Sequence, residues 1–246
     1  MFNNIATASA IYVEVDGTAL SQAVLSTLVE AVVDQHAHLP NMFTLQFFDP
    51  EMKLLDGANI SPNQKIEIKS VTPSGRMVSL IRGEITSVEP VFEQEGIHLM
   101  VHGYDPAFHM YHTVRSRTFV NIKDSDLAEK VANDWNLKSV IEPTKIVYDH
   151  LIQHNQNDLA FLLQRAWRIG YECFVRNETL YFRKPQSNAQ ATLTLKFGGE
   201  LLAFRPRMSS AEQVNEVIVR GWNQSEQKPI IGRAQTGKLF ANTTRT

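Results

Sequence analysis

Near the end of the chain, residues 232–238 read GRAQTGK and match the first seven positions of a phosphate-binding P-loop. The eighth position is Leu239, whose side chain cannot ligand Mg²⁺ as Ser or Thr does. A P-loop also follows a buried strand, and the apolar run at residues 229–231 is too short to be one. We therefore predict that no nucleotide or other cofactor binds here.

Four histidines fall close together in the sequence, at His98, His102, His109 and His112. A metal ion needs ligands that converge to about 2 Å from it. If the segment around His98 and His102 is a strand, the two side chains share a face, but their Cα atoms lie about 13 Å apart. We predict ordinary strand and turn histidines and no metal site.

Cys173 is the only cysteine, which excludes an intrachain disulfide and favours folding in a reducing compartment. It lies between Tyr171 and Phe174 on a predicted strand, so we interpret it as a small buried residue rather than a catalytic thiol. The chain has no Gly-x-Ser-x-Gly elbow, and the residue spacing reveals no acid–base pair. These observations predict a protein that is not an enzyme.

Alternation of apolar and polar residues dominates the first 105 residues, which is the signature of half-buried β-strands. A meander of such strands is typical of a barrel or a sandwich. Residues 18–35 fit either a helix face or a β-branched strand. The clearest predicted strands span residues 11–16, 43–47, 64–71, 78–88 and 97–104.

The middle of the chain changes to helical periodicity at two places. A helix is predicted from Asp124, because short polar acceptors precede the apolar positions Leu127 and Val131. A second helix is predicted from residues 157–158 to Gly170, which suits the position just after a helix.

Strand signals return after the second predicted helix. A hairpin is predicted over residues 171–183, with its turn at residues 177–178. Further strands are predicted over residues 191–197, 201–205 and 214–221, and no periodicity is visible beyond Asn223. The fold class predicted from these elements is α+β, mostly β.

The net charge of −2 is distributed unevenly along the chain. Residues 1–52 contain six acidic residues and no Lys or Arg. This asymmetry can guide the assembly of copies of the chain, although a chance surface distribution explains it equally well. The chain has no dense stripe of Lys and Arg, so a nucleic-acid partner is not expected. We also expect no direct membrane insertion, since no apolar stretch reaches about 18 residues.

Several separated blocks of the sequence carry a more specific signal. They are LLDG at 54–57, IEI at 66–68, GEITSVEP at 83–90, LMVHGYD at 99–105, RTF at 117–119, DSDLA at 124–128, NDLAFL at 157–162 and NETLYF at 177–182. In order and spacing these blocks resemble the hub module shared by VgrG spike proteins and phage late control D proteins. The resemblance covers about residues 9–222, and it favours a helical turn over 18–23 followed by a strand over about 26–35.

The resemblance points to scaffold residues rather than catalytic ones. Asp105 can accept a hydrogen bond in the turn before Pro106. Asn157 and Asp158 can cap a helix whose apolar face docks on a sheet, and Gly170 lets the chain reverse. The eight signature residues are Asp105, Asn157, Asp158, Phe161, Leu162, Gly170, Leu180 and Tyr181.

The resemblance also implies an architecture. Two β-barrel-like modules with inserted helices lie in tandem, and three chains form a pseudo-sixfold ring. The first module spans residues 1–107 and is completed by about residues 195–222. The second, an α+β module, spans residues 108–194, and residues 223–246 form a connector or tail toward a spike.

The function implied is that of a structural baseplate hub, which adapts the hexameric inner tube of a contractile injection system to a trimeric spike. The implied partners are two further copies of the chain, the inner tube or tube-initiator protein, the spike or spike-tip protein and other baseplate proteins. Such a hub assembles in the cytoplasm and belongs to a virion baseplate, a secretion apparatus or a released particle. The alternatives are a sixfold tail-tube or tube-initiator protein and a hub that carries a fused effector.

Overall fold

The computed structural model describes residues 11–57, 60–72, 75–186, 195–199, 201, 203–205, 207 and 214–235. The chain divides into two compact units, Met1–Pro185 and Gln186–Thr246. Strands outnumber helices throughout the described residues, so the α+β, mostly β class is confirmed. The predicted module boundaries at residues 107 and 223 stay a prediction.

A seven-stranded antiparallel sheet forms the first part of the larger unit, in the order β2-β1-β5-β6-β7-β4-β3. No ladder among the described residues joins β2 to β3, so these strands form an open sheet and not a closed barrel. Its strands are β1 (Ile11–Val15), β2 (Thr18–Ala19), β3 (Leu28–Asp34), β4 (Met42–Phe48), β5 (Lys65–Val71), β6 (Met77–Glu93) and β7 (Gly96–Tyr104), with short helices α1 (Gln22–Leu25) and α2 (Lys53–Gly57) in the connections.

The alternation read from the sequence decides which face of this sheet is buried. Phe43, Leu45 and Phe47 of β4 are each at most 1% exposed, and Leu99 and Val101 of the neighbouring β7 bury the same face. Side chains alternate between the two faces of a strand, so the intervening polar residues point outward. The five strands predicted most clearly are confirmed, and the helical turn predicted over 18–23 is displaced to α1.

The second part of the larger unit has its own hydrophobic core. Two long strands form an antiparallel ribbon, and three short strands form a separate sheet in the order β11-β12-β9. The elements are α3 (Ala107–His112), β8 (Val114–Lys123), α4 (Asp124–Asp134), β9 (Lys138–Ile141), β10 (Val147–Asn157), α5 (Asp158–Arg168), β11 (Glu172–Arg176) and β12 (Thr179–Arg183).

Both predicted helices of this part and the predicted hairpin are confirmed as α4, α5 and the β11–β12 pair. The sequence reading missed α3, β8, β9 and β10. The two ribbon strands were missed because they carry charged and amide residues on positions that alternation assigns to the core, such as Arg117 and Gln153. Among the described residues, no helix has both the length and the apolar composition needed to cross a membrane.

The smaller unit contains an antiparallel hairpin of β13 (Glu216–Asn223) and β14 (Lys228–Gln235). The strand predicted over 214–221 is confirmed as β13. The prediction that periodicity ends at Asn223 is wrong for β14, whose Pro229 and Gly232 interrupt the strand pattern. Residues 191–194 of another predicted strand lie outside the described residues, and a single bridge between Phe197 and Leu201 is the pairing found nearby.

Candidate assembly site

Asp105 lies at the end of β7 and holds two parts of the larger unit together. Its side chain is buried, and its Oδ2 accepts a hydrogen bond of 2.6 Å from Nδ2 of Asn41. Its Oδ1 accepts from the backbone N–H of Ala107 at 3.0 Å, which starts α3. Asn41 Nδ2 also donates to the carbonyl of Val175 in β11 at 3.2 Å. Burial raises the pKa of Asp105 to about 6.

Asn157 and Asp158 open α5 in different ways. Oδ1 of Asn157 accepts from the backbone N–H of Ala160 at 2.7 Å, which is an N-cap hydrogen bond. Asp158 is fully buried, and its Oδ1 accepts from Nη2 of Arg117 at 2.6 Å. Its Oδ2 accepts from the indole N–H of Trp135 at 2.8 Å. Asp158 therefore ties α5 to β8 and to the end of α4.

The remaining signature residues belong to the framework of the second core. Phe161, Leu162 and Leu180 are buried there, the last two with no exposed surface. Gly170 has a φ of +68°, the left-handed conformation that ends α5 and suits glycine. Tyr181 stacks on Phe174 with ring centroids 4.9 Å apart. All eight signature residues thus have contacts that position secondary structure.

A second buried ion pair was not predicted from the sequence. Nε of Arg165 in α5 donates to Oδ1 of Asp124 at 2.6 Å, and both side chains are at most 5% exposed. The guanidinium also lies 4.3 Å from the ring centroid of Tyr148 in β10. These contacts join α4, α5 and the ribbon, and the separation of 41 positions between the ion-pair partners left no local signal in the sequence.

The cysteine, the described part of the P-loop match and two of the four histidines weighed as functional sites lie in strands. Cys173 is 1% exposed in the second core, and burial raises the pKa of its thiol to about 12. Residues 232–235 of the P-loop match are extended strand in β14, and Lys238 lies outside the described residues. His98 and His102 lie within hydrogen-bond distance of side chains of β4. In the part of the chain that the structure describes, no three His, Cys, Asp or Glu residues are grouped to hold a metal ion.

A cleft of about 610 Å³ lies between the seven-stranded sheet and the β11–β12 turn. Oε1 of Glu67 is 3.0 Å from Nε of Arg82, and Nη1 of the same Arg82 is 3.7 Å from Oε2 of Glu178. Oε2 of Glu84 is 3.2 Å from Nε2 of His109. Because these carboxylates are engaged in ion pairs, the cleft has the character of a polar junction rather than of a site with a free base.

The outward face of the β8–β10 ribbon exposes two large apolar side chains, Val120 and Ile152. Phe119 and Leu151 lie directly opposite one another and are buried against the helices. Their neighbours Val120 and Ile152 therefore point away from the core, and they are 57% and 66% exposed. We call this surface the ribbon face; it consists of Ser116, Thr118, Val120, His150 and Ile152.

Over residues 6–244 the chain matches the family described as the Alg8 N-terminal domain, and it belongs to that family. This match does not support the narrower resemblance to VgrG spike proteins and late control D proteins, which stays a prediction. A comparison with curated proteins finds no match.

The fold is shared with solved structures of tail proteins. The 43 kDa tail protein of prophage MuSo2 from Shewanella oneidensis is 16% identical with a TM-score of 0.67, over 93% of this chain and 68% of that one. A tail protein from Neisseria meningitidis MC58 is 13% identical with a TM-score of 0.65, over 94% of this chain and 69% of that one. An E. coli protein described as a type VI secretion system component is 14% identical with a TM-score of 0.53, over 93% of this chain and 64% of that one. At these identities the similarity establishes the fold.

Proposed function

We propose that this chain is a non-enzymatic structural subunit of a phage-tail-like particle, and specifically its baseplate hub. The observation that carries the proposal is the fold: 93–94% of the chain aligns with two tail proteins, at TM-scores of 0.67 and 0.65. A fold alone does not define a function. The proposal therefore also rests on the sequence blocks and on the surroundings of the candidate residues.

The polar residues of the larger unit support a structural role. Asp105, Asp158 and Asp124 are buried and face protein donors, and they hold strands and helices in place. A catalytic site instead requires converging groups with room for a substrate atom. The thiol of Cys173 is buried and protonated at neutral pH, which does not suit a nucleophile.

In the hub, three copies form a ring that receives a hexameric inner tube on one side and a trimeric spike on the other. The ribbon face is a suitable contact between copies, because assembly would bury the exposed side chains of Val120 and Ile152. Burying apolar surface contributes about 25 cal/mol for each Å² removed from water. The tube-initiator protein, the spike and other baseplate proteins would occupy the surfaces that remain.

The stoichiometry of the purified chain tests the proposal. We expect sedimentation velocity or mass photometry to detect a species of three chains. Replacing Val120 and Ile152 by Asp should abolish this species, whereas Met77→Asp, at an apolar residue that is 51% exposed on β6, should leave it intact. A ring of six copies would instead favour a tail-tube protein. A chain that remains monomeric at high concentration, also with its inner-tube protein present, would contradict the hub.

A further inference from the structure

The β13–β14 hairpin exposes several large apolar side chains, which two strands alone cannot cover. Among the described residues its strands pair only with one another. A two-stranded sheet is marginally stable in water without packing on one of its faces. Trp222, Ile231 and Ile218 are nevertheless 61%, 51% and 42% exposed. This hairpin therefore has the properties of an element that another surface covers.

The register of the hairpin defines one face that is both apolar and basic. Ile218 lies opposite Arg233, Arg220 opposite Ile231, and Trp222 opposite Pro229, and directly opposite residues point to the same side of the sheet. We call this surface the basic hairpin face; it consists of Glu216, Ile218, Arg220, Trp222, Pro229, Ile231, Arg233 and Gln235.

The basic hairpin face has two arginines, Arg220 and Arg233, and one acidic residue, Glu216, so its net charge is positive. Arg233 forms a long ion pair with Glu216 at 3.8 Å, and its side chain is 63% exposed. Arg220 has no ion-pair partner among the described residues. The sequence of the smaller unit also has a net positive charge, since residues 186–246 contain eight basic and four acidic residues.

The seven-stranded sheet offers a surface of the opposite charge. Its inward residues form the first core, so the alternate residues of β3, β4, β6 and β7 point outward. Residues 11–52 and 83–104, which include β3, β4, β7 and most of β6, contain no Lys or Arg. We call this surface the acidic sheet face; it consists of Glu30, Val32, Asp34, Thr44, Gln46, Glu89, Met100 and His102.

Among the described residues, the ion-pair partners of the acidic sheet face are histidines. Nε2 of His102 lies 3.4 Å from Glu89, and Nε2 of His36 lies 3.4 Å from Asp34. Val32 and Met100 supply apolar surface between the charges.

We propose that the basic hairpin face of one copy docks on the acidic sheet face of a second copy of this chain. The two surfaces match in charge and in type, since both are β-sheets with apolar residues between charged ones. Complementary charge fixes partner and orientation more than it adds affinity. Each chain carries both surfaces, so the contact is head-to-tail, and such a contact forms a ring when the rotation between copies closes. This inference rests on the proposed assembly of copies and names the surfaces that would meet.

A charge-swap experiment tests the contact. One variant carries Arg220→Glu and Arg233→Glu, and the other carries Glu30→Lys and Asp34→Lys. We expect each variant alone to associate about tenfold more weakly or worse, as measured by sedimentation velocity. Mixing the two should restore a pair made of one chain of each kind, because the reversed charges again attract, whereas a ring of three retains one repulsive contact between identical variants. The control Lys228→Glu reverses one charge on the opposite face of the hairpin and should leave association unchanged.

Cross-linking decides whether the two surfaces belong to different chains. One chain carries Ile231→Cys and another carries Met100→Cys, and a bifunctional thiol reagent is added to the mixture. A covalent pair containing one chain of each kind is expected. If only a doubly substituted chain forms a cross-link, and does so within itself at any dilution, the hairpin docks on its own chain and the proposal is overturned.

The outcomes separate this contact from the hub itself. If both charge variants associate like the unaltered chain while retaining their circular dichroism spectra, the docking is wrong and a ring of three copies still stands. A ring of six copies that is sensitive to the charge swap would overturn the hub and leave the docking in place. If a reversed variant does not fold, Arg220→Gln with Arg233→Gln replaces it, and unweakened association of that variant also overturns the docking.

Discussion

The side-chain amide of Asn41 lies 2.6 Å from the buried carboxylate of Asp105 and so joins two parts of the larger unit. The same amide nitrogen donates to Val175 at 3.2 Å, and the amide oxygen accepts from the backbone N–H of His36 at 2.8 Å. The backbone N–H of Asp105 returns a bond to the carbonyl of Asn41 at 3.0 Å. Buried polar groups in native proteins nearly always have hydrogen-bond partners, and the side chains of Asn41 and Asp105 both have them.

The first prediction concerns the pH dependence of stability. Burial raises the pKa of Asp105 from 3.8 to about 6, so the folded state holds this proton more tightly than the unfolded state. The stability that this gives is fully present below about pH 3.8 and is lost as the pH rises through about 6. As the pH falls from 7 to 5, protonation of Asp105 should add about 1 kcal/mol to the free energy of unfolding.

Urea titration of the unaltered chain and of Asp105→Asn isolates this contribution. Other carboxylates, such as Glu67 with its lowered pKa, act in the opposite direction in both proteins and cancel in the comparison. The unaltered chain should gain stability relative to the variant on going from pH 7 to pH 5. Parallel pH profiles for the two proteins would show that Asp105 titrates as it does in the unfolded chain.

The second prediction concerns the fully buried Asp158. Replacing it with Ala leaves Arg117 partly buried without this partner and removes the acceptor of Trp135. Breaking a buried charge pair on one side costs about 3–5 kcal/mol. Asp134, which contacts the same Arg117 but is 32% exposed, provides the matched control, and Asp134→Ala should cost less than about 1 kcal/mol. Equal losses in chemical denaturation would contradict the assignment of Asp158 as the anchor.

The sequence predicted local features of this fold better than distant contacts. Alternation located β4 and β7 because their buried residues follow a strict period of two. The cap of α5 was predictable because Asn157 acts within three residues of itself. The anchor at Asp158 was predicted only as a cap, since Arg117 lies 41 positions away and no periodic pattern links the two.

The candidate surfaces were less predictable for a different reason. Alternation assigns residues to faces but does not reveal which face meets another chain. The ribbon face was not predicted, because partly buried Arg117 and buried Gln153 interrupt the alternation of apolar and polar residues in β8 and β10. The charge asymmetry was visible in the sequence, but its arrangement on one face of a sheet required the register of β3, β4, β6 and β7.

The third prediction concerns the close approach of β6 and β7. A Cβ atom at Gly103 would overlap the carbonyl oxygen of Glu84 and the ring of Phe43. Because one of these atoms is backbone, the strands themselves must move, and Gly103→Ala should cost at least about 1–3 kcal/mol. Gly57→Ala is the control, since no atom lies within 4 Å of a Cβ there, and it should change stability by less than about 0.5 kcal/mol. Thermal unfolding that is unchanged by Gly103→Ala would contradict this packing.

The fourth prediction concerns the N-cap of α5. Asn157→Ala removes the acceptor of the Ala160 N–H and should lower the free energy of unfolding by about 1 kcal/mol. Asn157→Asp keeps an acceptor at the same place, so it should retain most of the stability. A cap acts only on the end of its helix, so hydrogen exchange should accelerate at the first turn of α5 in Asn157→Ala and not at β4, which belongs to the other core. If Asn157→Asp is as unstable as Asn157→Ala, the hydrogen bond to Ala160 is not what stabilises this helix start.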